Sequence, residues 1–195
     1  MLKKISILMF ALLMLTLLTS NITQAQKRSS FPAFSIAPVL GVNFPLGDLG
    51  NVYKVGFNGG ADFMVNLNRE TAFFLKVGYY LLPNKQEIDP NGTNASMIEI
   101  SAGPRYTFTN PKVKAELFFE AGLGAYMFMY KDKVVGNVTT TYESETLFGI
   151  NGGPGALIPM GKMADFMVKA KAHYIFQKNG SRVIATGVMG VAFKL

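Results

Sequence analysis

The sequence predicts an all-β fold, an eight-stranded antiparallel up-and-down transmembrane β-barrel preceded by a cleaved signal peptide. Three features of the 195 residues predict it: one apolar run at the N-terminus, eight later segments with apolar residues at every second position, and connections that alternate in length. A period of two is typical of a strand with one apolar face. The absence of Cys excludes a disulfide scaffold, a thiolate metal site and a cysteine nucleophile, and the single His excludes a His-rich metal site.

The N-terminal segment has the pattern of an export signal. Met1–Lys4 carries two lysines, Ile5–Leu18 is apolar and uncharged, and Thr19–Ala25 is small and polar. This order is typical of a secretory signal peptide, and the apolar run is shorter than the roughly 20 residues that a spanning helix needs. The sequence therefore predicts a signal peptide, a short N-terminal segment and a barrel, at residues 1–25, 26–33 and 34–195.

Eight segments alternate between an apolar, charge-free parity and a parity that carries charges and glycines. In the first segment, Phe34 and Ile36 alternate with Ser35 and Ala37. The eight predicted strands are Phe34–Phe44, Phe57–Leu67, Phe73–Tyr80, Ile98–Phe108, Glu116–Met127, Glu145–Gly152, Phe166–Phe176 and Val183–Leu195. Two architectures fit such strands: a barrel with the apolar face toward lipid, and a soluble, lipocalin-like barrel with that face inward around an apolar ligand.

The connections between the predicted strands alternate in length. The longer ones are Pro45–Gly56, Leu82–Ala95 and Lys131–Tyr142, and the shorter ones are Asn68–Glu70, Thr109–Lys114, Leu157–Met163 and a brief last loop, Lys178–Arg182. Bacterial outer-membrane barrels have short periplasmic turns, longer extracellular loops and aromatic girdles, and the charge-free parity here places aromatic residues near both strand ends. The pattern favours the bacterial outer membrane, with the N- and C-termini periplasmic and the three long loops outside.

The charged parity is predicted to line the barrel interior as a network of ion pairs. Its members are Lys76, Arg105, Lys169, Lys171, Lys194, Asp62, Glu99, Glu116, Glu120 and Glu145, with His173 beside them on the seventh predicted strand. Charges in a confined lumen must be paired because an unpaired one carries a desolvation penalty of several kcal/mol. An eight-stranded barrel is just wide enough to be filled by its own side chains. We therefore expect a filled lumen and no diffusive pore.

Three stretches carry a resemblance to a known family: Phe34–Asn43, the following Pro45-Leu46-Gly47-Asp48, and the strand Gly56–Leu67. They resemble the corresponding stretches of the small eight-stranded outer-membrane barrel domains, in particular the porin-family or PorT-like barrels of Bacteroidetes. The resemblance covers essentially the whole mature chain and implies the barrel, but it implies no reaction. The C-terminal Phe193-Lys194-Leu195 differs from the usual last aromatic residue. Expected partners are outer-membrane lipid and lipopolysaccharide, the barrel assembly machinery, and an extracellular or envelope protein bound through the loops.

The sequence predicts a non-enzymatic barrel without cofactor or metal, acting in envelope structure or in surface interaction. The alternative enzyme, a lipid-modifying barrel, would use His173 as a general base, but a base also needs a nucleophile and an orienting group. Ser101 shares the inward parity and has no partner visible in the sequence. Asp48, Glu87 and Asp89 are interpreted as solvated loop charges rather than a cation site. The chain has no run of like charges and no basic helix, so nucleic acid is not an expected partner.

Overall fold

The protein forms a closed antiparallel β-barrel of eight strands. The computed structural model describes residues 31–85, 93–108, 113–130, 133–135, 138–140, 143–178 and 180–195. The barrel strands are β1 (Ala33–Leu46), β2 (Gly56–Asn66), β3 (Thr71–Leu82), β4 (Ala95–Phe108), β5 (Glu116–Tyr130), β8 (Glu145–Pro159), β9 (Ala164–Gln177) and β10 (Gly180–Lys194). A short helix, α1 (Asp48–Val52), follows β1, and a separate hairpin of β6 (Lys133–Val135) and β7 (Val138–Thr140) follows β5.

Each barrel strand pairs with its neighbours in sequence, and β1 closes the sheet by pairing with both β2 and β10. The fold predicted from the alternation is therefore confirmed. The predicted signal peptide at 1–25 lies outside the described residues, as does most of the predicted segment at 26–33. No helix in the described part of the chain is long and apolar enough to cross a membrane.

The side chains that point out of the barrel wall are the charge-free ones. Leu123 and Phe148 on this face are each 71% exposed, whereas Asp62 and Glu120 on the opposite parity are fully buried. The apolar face therefore points outward along the strands. The lipocalin-like alternative, which needs that face inward, is wrong.

The two ends of the barrel differ. One end, here called the loop end, carries the connections at 47–55, 83–94 and 131–144 and the tight link at 178–179. The other, the turn end, carries the connections at 67–70, 109–115 and 160–163, and it is also where β1 begins and β10 ends. The long connections thus share one end, as their alternation in the sequence predicts.

Three strand prolines are accommodated by local breaks in pairing. Pro38 lies where the ladder between β1 and β10 is interrupted, between Ile36 and Val39. Pro104 and Pro154 lie at similar gaps, on the β5 side of β4 and on the β9 side of β8. Since proline has no N–H to donate, each gap falls where a ladder bond is lost. In each strand the pairing resumes beyond the gap in the same register, so the inward and outward parities are unchanged.

The core of the molecule lies inside the barrel, in two apolar clusters. The loop-end cluster consists of Leu49, Tyr80, Leu82, Ala95, Met97, Tyr126, Phe128, Ile175 and Ile184. The turn-end cluster consists of Ala37, Val39, Met64, Phe74, Phe118, Met167, Val188 and Ala192. Between them lies a layer of buried charged side chains. This layer and the loop end above it are where chemistry or recognition would take place.

Candidate functional site

Glu120 is the centre of the first group of ion pairs in the lumen. Arg105 Nη2 donates to Glu120 Oε2 at 2.6 Å, and Lys169 Nζ donates to Oε1 at 3.0 Å. Lys169 also donates to Asp62 Oδ2, which joins the second carboxylate to the group. Lys171 Nζ lies 3.1 Å from Glu120 Oε1 as an ion pair without hydrogen-bond alignment. One carboxylate therefore serves three cations, and all five side chains are buried.

Glu99 is the centre of the second group. Lys76 Nζ lies 3.3 Å from Glu99 Oε2, and the Tyr80 hydroxyl donates to the same oxygen. Ser101 Oγ donates to Glu99 Oε1 at 2.6 Å. Lys76 Nζ also donates to the Tyr80 hydroxyl at 3.0 Å, so the ammonium and the phenol support each other. Both carboxylate oxygens of Glu99 therefore have a partner, as a buried carboxylate requires.

His173 lies in a closed aromatic setting rather than in a substrate pocket. Its ring makes edge-on contacts with Tyr80 and Tyr126, at centroid distances of 5.9 and 5.8 Å. Nδ1 is 3.2 Å from the Tyr126 hydroxyl and 3.7 Å from Glu99 Oε1, and Nε2 is 3.4 Å from Thr186 Oγ1. His173 is fully buried. A lipid at the outer wall therefore cannot reach the imidazole.

Ser101 and His173 both converge on Glu99, a relation that the sequence does not reveal because the residues lie on different strands. The arrangement includes a hydroxyl, an imidazole and a carboxylate, the residue types of a hydrolytic triad. Here, however, the hydroxyl donates to the carboxylate rather than to the imidazole, and the serine is only 2% exposed. The geometry is that of a structural network.

Buried cations outnumber buried carboxylates between the two apolar clusters. Four cationic side chains, Lys76, Arg105, Lys169 and Lys171, share this layer with three carboxylates, Asp62, Glu99 and Glu120. Three of these cations also lie over aromatic rings, which offsets part of their desolvation, and Lys76 Nζ is 5.5 Å from the Tyr80 centroid. The Arg105 guanidinium is 4.0 Å from the Phe118 centroid, and Lys171 Nζ is 4.6 Å from the Phe74 centroid. Lys171 is the surplus cation because Glu120 is already engaged by two others.

The remaining predicted network residues lie at the barrel ends. Glu145 is paired at the loop end with Arg182 at 2.8 Å, and Lys194 is paired at the turn end with Asp165 at 2.8 Å. Glu116 begins β5 at the turn end and is exposed, so its position is on the rim and not in the buried layer. Strand ends are open to water, and a carboxylate there needs no buried partner.

Sequence reasoning missed Asp165, which precedes the predicted seventh strand but lies buried on β9, and Arg182, which it placed in the last loop rather than on a strand. Arg182 lies on β10 with its guanidinium 4.4 Å from the Phe128 centroid, and it donates to the Tyr130 hydroxyl at 3.1 Å. The predicted strand begins at Val183 rather than at Gly180 because Lys178–Arg182 contains two charges and a glycine. The sequence does contain a signal for this position. Val183 belongs to the outward parity, so Arg182, one residue earlier, has the inward parity of the network.

The described residues contain no group of three or more His, Asp or Glu side chains placed to hold a metal ion. Of the loop carboxylates considered in the sequence, Asp48 lies exposed on α1, and Glu87 and Asp89 fall outside the described residues. The carboxylates of the buried layer are paired with lysine and arginine side chains, which would compete with a metal ion for the same oxygen atoms. The arrangement can hold the barrel closed, and Asp62 Oδ1, which has no hydrogen-bond partner within the described ranges, belongs to a carboxylate already paired with Lys169.

Comparison with known proteins identifies the fold. No protein-family model matches the chain, and no curated protein matches its sequence. The crystal structure of Neisserial surface protein A matches with a TM-score of 0.64 and 16% identity, over 86% of this chain and 100% of that chain. The outer membrane protein OprG of Pseudomonas aeruginosa matches with a TM-score of 0.58 and 12% identity, over 84% and 96%.

A major outer membrane protein of Thermus thermophilus matches with a TM-score of 0.56 and 12% identity, over 84% of this chain and 100% of that chain. At these identities the likeness concerns the fold. The chain has the closed eight-stranded barrel fold of small bacterial outer-membrane proteins.

Proposed function

We propose that the chain is a non-enzymatic barrel of the bacterial outer membrane that acts in envelope structure or in surface interaction through the loops at its loop end. One observation carries the proposal: the lumen is filled by buried side chains in two apolar clusters and an ion-paired layer, while the wall outside is apolar and uncharged. A filled eight-stranded lumen offers no path for a solute. The loops are then the surface left for recognition.

The proposed orientation places the turn end in the periplasm. Bacterial barrels of this kind have short periplasmic turns, and both termini of the barrel lie at the turn end. The predicted signal peptide at 1–25 supports export. The resemblance carried by Phe34–Asn43 and Gly56–Leu67 supports assignment to the PorT-like barrels. Outer-membrane lipid, lipopolysaccharide and the assembly machinery are the partners that this location implies.

The location is tested by electrophoresis of the membrane fraction in SDS with and without boiling. A closed barrel has no free sheet edge, so it resists SDS until it is heated and runs faster unboiled. We expect a faster unboiled band in the outer-membrane fraction. Identical mobility together with recovery in the soluble fraction would overturn the proposal.

The choice between envelope structure and surface interaction is tested with a barrel in which 47–55, 83–94 and 131–144 are replaced by tight turns. If this variant assembles and restores the detergent resistance of a deletion strain, the barrel itself supports the envelope. If it assembles but only the full chain restores the phenotype, the loops carry the role. His173→Gln serves as the enzyme control, and we expect it to leave the lipid A composition unchanged.

A further inference from the structure

Apolar side chains dominate the lumen at the end where the long loops lie, although Asn43 and Asn58 are also buried there. The wall side chains of the loop-end cluster include Leu82, Met97, Phe128, Ile175 and Ile184, each at most 1% exposed. Such a surface at the mouth of a barrel must be shielded from water, since exposing it is unfavourable in proportion to its area. The structure shields it with a segment of the chain itself.

The covering segment, here called the lid, is the connection at 47–55 with its helix α1. It leaves β1 through Gly47, whose φ of 59° turns the chain back over the mouth. Among the five residues of α1, only Leu49 is buried, and it belongs to the loop-end cluster. Asp48 and Val52 on the same helix are exposed. Within the described residues, the helix therefore covers the loop-end cluster with one leucine side chain, and Tyr53, directly after the helix, packs against the cluster as well.

The lid is fastened to another loop by backbone hydrogen bonds. Lys54 N donates to Pro83 O, and Lys85 N donates to Val52 O, both at 2.8 Å. The Lys85 ammonium also donates to Gly50 O. These bonds flank Tyr53 and Asn84, which face each other as an antiparallel bridge. The attachment is short, with Val52 and Lys54 exposed and Asn84 buried. Short attachments between loops open at a lower free-energy cost than the core strands of a protein.

We infer that the loop-end cluster is a recognition site for an aliphatic side chain presented by a segment of a partner protein, and that Leu49 occupies this site when no partner is bound. The inference rests on the proposed function, because it names what the loop end would recognise. An apolar site left empty would meet water, so the lid opens only when another apolar group replaces Leu49. The partner then shifts the equilibrium by its own contacts with the open form.

The depth of the site favours a side chain over a lipid acyl chain. Directly beneath the cluster, the Tyr80 hydroxyl is bonded to Glu99 and to Lys76, which closes the lumen with a charged layer. Removal of Leu49 therefore frees the space of about one side chain and no channel below it. A leucine on a short helix fits that space, as the lid itself demonstrates, whereas a long acyl chain has no room to extend.

The chain offers a direct way to lock the lid. It has no Cys, so Tyr53→Cys with Asn84→Cys introduces a single pair. The flanking bonds from Lys54 and Lys85 make positions 53 and 84 a non-hydrogen-bonded antiparallel pair, with Cα atoms about 4.5 Å apart. That separation lies within the range a disulfide spans. The oxidised variant keeps the lid closed, and its reduced form is the matched control.

The probe is a fluorescent peptide of residues 45–56, the lid's own sequence, with a second peptide in which the leucine of position 49 is replaced by serine. Binding to the full barrel in micelles is followed by anisotropy. We expect the Leu49→Ser barrel to bind the native peptide roughly tenfold more tightly than the unmodified barrel, in which Leu49 competes from within. The oxidised cysteine variant should lose binding relative to its own reduced form, which is the reference because Tyr53 itself packs against the loop-end cluster.

The inference is overturned if the oxidised and reduced barrels bind alike, if neither binds, or if the serine peptide binds as well as the native one. Displacement of the native peptide by lauric acid, at an affinity equal to that of the peptide, would also overturn it in favour of an acyl ligand. The cysteine pair keeps the test decisive if Leu49→Ser fails to fold. Failure of the proposed function is distinct, because it would appear as loss of the heat-modified band in SDS.

Discussion

Replacing Glu120 with glutamine tests whether the ion-paired layer holds the barrel together. The carboxylate lies 2.6, 3.0 and 3.1 Å from the cationic nitrogens of Arg105, Lys169 and Lys171. At about 3 Å and an effective dielectric constant near 20, each contact is worth roughly 5 kcal/mol before desolvation. Removing one partner of a buried pair costs about 3–5 kcal/mol. Because Arg105 and Lys171 together lose their only carboxylate among the described residues and Lys169 keeps only Asp62, we expect Glu120→Gln at the upper end of that range.

The assay is urea unfolding in lipid vesicles, with the folded fraction measured from the unboiled band in SDS. Lys171→Met is the matched control, since it removes the surplus cation and leaves three cations facing three carboxylates. We expect its free energy of unfolding to be unchanged or raised, because Glu120 keeps two cations and one desolvated charge is removed. The reasoning fails if Glu120→Gln lies within about 1 kcal/mol of the unmodified barrel, the value of an exposed pair, or if Lys171→Met is equally damaging.

Three further variants probe the wall, the packing and the register in the same assay. Leu123→Arg, on the outward face of β5, should lower the free energy of unfolding by about 2–4 kcal/mol. Thr146→Arg, near a strand end, should lower it by about 1 kcal/mol or less. Equal costs would contradict a lipid-facing wall. Gly122→Ala, whose new methyl would lie 2.6 Å from the Ala102 carbonyl oxygen and 2.8 Å from the Phe74 ring, should cost about 1–3 kcal/mol. A neutral result would show that the strands and the lumen side chains yield readily at this position. The double variant Lys76→Met with Glu99→Gln should change the free energy of unfolding by less than about 1.5 kcal/mol. It should nevertheless lower the fraction of protein that refolds into the heat-modified form. An unchanged refolding yield would contradict a role of this ion pair in setting the strand register.

The alternation of the sequence determines most of the barrel because the side-chain period of a strand is two and each strand has only two faces. Once the charge-free parity is taken as outward, the positions of Asp62, Lys76 and Lys169 inside the wall follow. The alternating connections place the long loops at one end for the same reason, since each antiparallel strand reverses the direction of the chain. No knowledge of individual contacts is needed for either step.

The pairing inside the lumen cannot be read from the parity, because it depends on the relative shift of the strands. Glu120 of β5 meets Lys169 of β9 across the barrel, although β8 lies between the two strands in the sheet. The ends of the strands are equally hard to predict from the sequence. Arg182 belongs to the ion-pair network and Glu116 lies on the rim, and both stand where the strand alternation gives way to residues typical of loops. The burial of Leu49 depends on a loop folding back, which strand periodicity does not describe.

The charged layer between the two apolar clusters makes the inward face of the strands chemically different from their apolar outward face. An apolar lumen would not provide this difference. A slip of β3 by one residue would turn Lys76 to the outer wall, which faces lipid in the proposed location, at a cost of about 2–4 kcal/mol near the midplane. The same slip would bring the neighbouring Val77 against Glu99 and leave that carboxylate without its cation. A strand that was apolar on both parities would carry no such penalty, and its two registers would compete. The buried ion pairs therefore select the register even where, after desolvation, they add little to the free energy of unfolding.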